Sequence, residues 1–180
     1  MSDAITPQQI LQLVISAIGG GLAGSILTAI LNNRNQRRAA DSKERATISS
    51  LTSELRRSNL VCQQNTKLRG EPVAAFIHFP TTVAINATFQ ERHSYPRLAD
   101  LQVELEQYTL AVVQINGMID LYQKMVTSSN TIYAPHDCNR LRDAIAAMCA
   151  GESHLEGVSS IDAFIFPEFI DHLLAKVRKL

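Results

Sequence analysis

Cysteine is scarce in this chain of 180 residues: only Cys62, Cys138 and Cys149 occur. Their spacing gives no disulfide framework, so free thiols in a reducing compartment are expected. The short motifs of common enzymes are missing as well. There is no Gly-rich phosphate loop, no HExxH, no CxxC and no GxSxG, and no internal repeat or low-complexity run. Glu168 and His172 stand four apart, but two ligands do not make a metal site. His136, Asp137 and Cys138 are adjacent, and adjacent side chains seldom face one another. The expectation is therefore a protein without catalytic residues, resident metal or cofactor.

Charge is also missing over one long stretch. From Ile10 to Leu31, 22 residues carry none, and the flanking charges are Asp3 and Arg34. As a helix this stretch is about 33 Å long, enough to cross a bilayer core of roughly 30 Å. In steps of four, Ile10, Val14, Ile18, Leu22, Ile26 and Ile30 form a large apolar ridge. A second ridge, Gln12, Ser16, Gly20, Gly24, Thr28 and Asn32, is small or polar, and a third, Ala17, Gly21, Ser25 and Ala29, is small. Small residues allow close helix approach in lipid. The expected contacts are through Ser16, Gly20, Gly24, Thr28, Ala17 and Gly21. The second ridge winds about 200° around the helix, so the partner expected is the chain itself, in a ring-like homo-oligomer such as a tetramer.

Residues 1–70 hold nine Lys/Arg against four Asp/Glu, and residues 71–180 hold eight against thirteen. The basic excess follows the apolar stretch, with Arg34, Arg37 and Arg38 placed for lipid headgroups, which puts that side in the cytoplasm. The expected layout is a single-pass inner-membrane protein. Residues 1–9 lie outside, 10–31 span the bilayer, 32–70 form a basic juxtamembrane stalk, and 71–180 form a cytosolic domain. In the stalk Ile48, Leu51 and Leu55 keep heptad spacing, but Ser58, Cys62 and Asn65 follow on the same track, so any coiled-coil seam is short. Either one helix continues from the membrane or Asp41 and Glu44 restart a second.

The domain is expected to be a small helical bundle, mainly α. Residues 73–89 read as a β-hairpin through the alternation of Val83, Ile85, Ala87 and Phe89, or as a short helix after Pro80 and Thr81; the helix is preferred because no further sheet element is evident. From Pro96, the residues Leu98, Leu101, Leu105, Tyr108, Val112, Ile115, Ile119, Tyr122 and Val126 keep 3-4 spacing over four heptads and predict the core helix. Val113, Met118, Leu121 and Met125 add a second stripe, predicting burial on more than one side. Asp137 caps a helix over 139–150 that Gly151 stops. Ile161, Phe164, Ile165, Phe169, Ile170, Leu173, Leu174 and Val177 give a final amphipathic helix, begun at Ser159 or again at Pro167.

Two groups of residues suit a small anion. They are Arg92, His93, Tyr95 and Arg97 before the core helix, and Tyr133, His136, Arg140 and Arg142 around the next helix start. Arginine forks onto phosphate oxygens, and tyrosine and histidine stack on bases. The acidic domain argues against long nucleic acid, which needs many phosphate contacts.

The membrane helix, basic stalk and helical domain with Leu105, Tyr108, Ile115 and Asn116 resemble a group of small bacterial membrane proteins of antiviral defence. The likeness extends to the membrane effector of Vibrio type III CRISPR systems. It implies a non-enzymatic effector that binds a cyclic oligoadenylate, cyclic tetra-adenylate in that family, and perturbs the membrane as an oligomer. No ligand residue of the family is carried over; the two basic groups rest on their own chemistry. The alternative is an inner-membrane anchor whose helical domain docks a partner protein.

Overall fold

The computed structural model describes the backbone of residues 7–71, 73–90, 95–127, 135–152, 154–156 and 163–180, and the side chains over 28–71, 73–89, 95–127, 135–152 and 165–180. It is mainly helical. The chain divides into two compact units, Met1–Lys43 and Glu44–Leu180. Helix α1, Pro7–Thr66, has no restart at Asp41. In the first unit Thr28, Arg34, Arg37 and Arg38 are exposed. Among the described residues no helix is long and apolar enough to cross a membrane. Most of the expected span, with Ser16, Ala17, Gly20, Gly21 and Gly24, lies outside the described side chains.

The second unit begins at Glu44, not at residue 71, because the later part of the expected stalk belongs to the core. Glu44, Leu51, Leu55, Ser58, Cys62 and Asn65 are all buried, and Ile48 packs against the same core. These positions recur every three or four residues and so share one helix face. The polar members do not end the seam; each holds a group from another segment. Asn65 accepts the Ile77 N–H and donates to its carbonyl, both at 2.9 Å. Ser58 bonds the Tyr108 hydroxyl.

Residues 73–80 take no regular structure between α1 and the core helix, and among the described residues no strand pairs with them. Their backbone groups are met by side chains instead. Asn116 accepts from Phe79 N at 2.8 Å and donates to Phe79 O at 3.0 Å, and the Tyr122 hydroxyl accepts from Ala74 N at 3.1 Å. These bonds replace a ladder and satisfy polar groups that burial would otherwise leave costly. No hairpin forms over 73–89. A short helix α2, Thr82–Ile85, runs into a π-helical turn, Asn86–Gln90, in which Thr88 bonds the Ala84 carbonyl. Thr81 sits at the N-cap without a side-chain capping bond. The cap comes from α1: Glu54 accepts from Val83 N at 2.8 Å and Ala84 N at 3.0 Å.

The core helix starts as a 3-10 segment, Pro96–Leu101, and continues as α3, Gln102–Thr127. Eight of its nine predicted apolar positions are buried, from Leu98 to Tyr122, while Val126 is 38% exposed. The predicted second stripe is covered in part: Met118 packs against the core and Met125 is half-buried. Val113 and Leu121 are 52% and 45% exposed. Between them Gly117 is exposed, and an added Cβ would meet nothing within 4 Å. A mid-helix glycine costs about 1 kcal/mol relative to alanine, and no contact within the subunit requires one here.

Helix α4, Pro135–Ala150, begins earlier than the cap at Asp137 predicts, since Pro135 suits the first turn. It ends as expected at Gly151, which has φ 78°. Gly151 N donates to Met148 O at 3.3 Å and Glu152 N to Ala147 O at 2.9 Å, the paired bonds of a Schellman cap. A two-stranded antiparallel sheet follows, β1 His154–Glu156 with β2 Ala163–Ile165. The expected helix over Phe164 and Ile165 is thus a strand, and Ser159 and Asp162 lie outside the described residues. Helix α5, Phe166–Val177, starts at the proline turn and buries Phe166, Ile170, Leu173, Leu174 and Val177. Phe166 closes the core, edge-on to Phe79 at 5.3 Å and stacked on Tyr108 at 6.3 Å.

Candidate ligand groove

The described members of the first basic group, Tyr95 and Arg97, are built into the fold. Tyr95 is 3% exposed and belongs to the core. Arg97 donates its backbone N–H to Glu44 Oε1 at 2.6 Å, and its guanidinium lies 3.7 Å from Glu44 Oε2. That carboxylate is itself 2% exposed and sits at the start of the 3-10 segment, where an anion is favoured. Arg97 is therefore committed to holding the turn. Arg92 and His93 lie outside the described residues, as does Tyr133 of the second group.

In the second group Arg142 is also committed. Its side chain is 11% exposed, Nε bonds Asp143 at 2.9 Å, and Nη1 donates to the Glu71 carbonyl at 2.7 Å. It ties α4 to the chain just after α1. His136 and Arg140 are exposed on the first turns of α4, and His136 Nδ1 lies 3.9 Å from Asp137.

Arg140 and Asp137 face a groove of about 310 Å³ between the end of α3 and the start of α4. Asp137, Arg140, Leu141 and Ala144 line it from α4 at i, i+3, i+4 and i+7, while Leu121 and Met125 line it from α3 at i and i+4. Each set is one helix face. The walls are mostly apolar, with one acid and one base at the rim. That lining can take an apolar side chain or the flat face of a base. Its charge is balanced, so a polyanion would meet Asp137 as well as Arg140.

The chain matches no family model, no characterised protein and no solved structure. Among the described residues no group of three His, Cys, Asp or Glu is placed to hold a metal ion.

Sequence reasoning passed over Glu54 and gave Glu44 and Asn116 other parts, a candidate capping box with Asp41 and a place in the resemblance, because none of the three stands in a motif that shows a buried role. One signal was present: Glu44, Ile48, Leu51, Leu55, Ser58, Cys62 and Asn65 are spaced 4-3-4-3-4-3. A polar residue on an unbroken apolar track has to find a buried partner.

Proposed function

We propose that this chain is a non-enzymatic, membrane-tethered interaction module. The uncharged residues 10–31 hold it in the bacterial inner membrane, and the helical unit from Glu44 to Leu180 works on the cytoplasmic side by binding, not by turnover. The observation that carries this reading is the use of the polar side chains. Glu44, Glu54, Ser58, Asn65, Arg97, Asn116 and Arg142 bond backbone or neighbouring side chains, while α3 leaves Leu110, Val113 and Leu121 exposed. A buried polar framework with an apolar outer face suits a binding surface. Carbonate extraction of membranes from cells making the full chain tests the tether. Retention in the pellet is expected, and release of the intact chain removes the reading.

A second reading is favoured by the groove. A cyclic oligoadenylate would lay a base against Leu121 and Met125, with a phosphate on Arg140 and His136 beside it. The chain would then be an effector of antiviral signalling that perturbs the membrane as an oligomer, provided the ligand binds the active arrangement more tightly than the resting one. Titration of the detergent-solubilised full chain with cyclic tetra-adenylate tests it by calorimetry. Binding that is lost in Arg140→Ala supports this reading, and no heat of binding excludes it.

A further inference from the structure

Helix α3 presents an exposed apolar line: Val103, Leu110, Val113 and Leu121 are 63%, 47%, 52% and 45% exposed. Gly117 lies on the same line, with open space where a side chain would stand. From Val103 to Leu121 the line is about 27 Å long at 1.5 Å per residue. One apolar pair on it is mirrored about the glycine and the next pair is mixed. Val113 and Leu121 lie four residues to either side, and Leu110 lies seven before Gly117 where Lys124 lies seven after.

We propose that α3 pairs with α3 of a second copy, antiparallel, crossing at Gly117. An interface between identical subunits related by a two-fold axis must be self-complementary, each residue meeting the one at the mirrored position. Here Val113 of each copy meets Leu121 of the other, and the two glycines meet at the crossing. The missing side chain lets the backbones approach closely, which accounts for a glycine that no contact within the subunit requires. Leu110 of each copy falls opposite Lys124 and Met125, at the mouth of the groove lined by Leu121, Met125, Leu141 and Ala144. The apolar stem of Lys124 can lie over it with the ammonium in water. The inference deepens the interaction-module reading by naming a second copy of this chain as the occupant of its exposed face.

The test uses the full chain in native membranes with Cys138→Ser as background, so that the half-buried native thiol does not cross-link. Gly117→Cys under mild oxidation is expected to give a disulfide-linked dimer at several-fold higher yield than Val73→Cys, which is exposed elsewhere on the domain. Leu110→Glu, a surface change, is expected to abolish that cross-link while the circular dichroism spectrum stays the same. Equal yields from Gly117→Cys and Val73→Cys, or a Gly117→Cys cross-link that survives Leu110→Glu, overturn the proposal. Carbonate extraction of the same membranes is scored separately. A chain released by carbonate would refute the tether, and the cross-linking comparison in the released fraction would still decide the pairing.

Discussion

Ser58 on α1 and Tyr108 on α3 share a hydrogen bond of 2.6 Å between their hydroxyls, with both residues fully buried. The Tyr108 hydroxyl also lies 3.4 Å from the Pro80 carbonyl, so one side chain links α1, the segment over residues 73–80 and the core helix. Burial pushes the phenol well above its ordinary value, and the Ser58 bond only partly offsets this.

Tyr108→Phe keeps the stack on Phe166 and removes the hydroxyl, leaving Ser58 buried without its partner. The expected cost is about 1–3 kcal/mol, read as a lower midpoint in urea unfolding with unchanged slope. An unchanged midpoint would mean that Ser58 gains nothing from this bond.

Glu54 holds two N–H groups at the start of α2. Glu54→Ala leaves both without an acceptor and is expected to cost about 1–3 kcal/mol. Glu54→Gln keeps one amide oxygen and should lose less. The order wild type, Gln, Ala in unfolding midpoint is the check; a reversal would place the cap elsewhere.

Glu104 and Lys176 join α3 to α5 at 2.6 Å. Partial burial pushes the Glu104 carboxyl up, but the Lys176 hydrogen bond, a backbone hydrogen bond and the charges of Lys176 and His172 hold it below its ordinary value of 4.5. A folded value below the unfolded one means that the contribution is complete above the unfolded value and is lost as pH falls through the folded one. Because Lys176 is 38% exposed, water screens the pair and its worth is at most about 1 kcal/mol. Lys176→Met should lower stability at neutral pH and leave it nearly unchanged in acid. Equal losses at both pH values would show that the charge is not what matters.

Cys62 and Cys149 are buried, 2% and 3% exposed, and Cys138 is half-buried. The hydrogen bond with Cys149 and then burial push the Cys62 thiol far above its ordinary value, so it stays protonated and unreactive. Maleimide at neutral pH is expected to modify Cys138 first, with Cys62 and Cys149 reached only after unfolding, as read by peptide mass spectrometry. Labelling of Cys62 at the rate of Cys138 would mean that the helix packing opens readily.

The two basic groups were drawn from residue type alone, and their outcomes differ. Arg97 and Arg142 are structural ties, whereas Arg140 lines the groove. Nothing in the local sequence separates them, because the difference lies in whether a distant acceptor is within reach. For Arg97 the acceptor is Glu44, and for Arg142 it is the Glu71 carbonyl.

Sequence alone determined the helical class, the uncharged stretch from Ile10 to Leu31, the buried face of α3, and the stop at Gly151. Each follows from periodicity or from a residue with a fixed backbone preference, which act within a turn or two of the chain. Only the tertiary structure decided that Ser58 and Asn65 extend the seam, that residues 73–80 take no regular structure, and that Val113 and Leu121 stay exposed. A buried donor, acceptor or apolar side chain is stable or costly according to what stands opposite it, and here its partners lie 12 to 50 residues away.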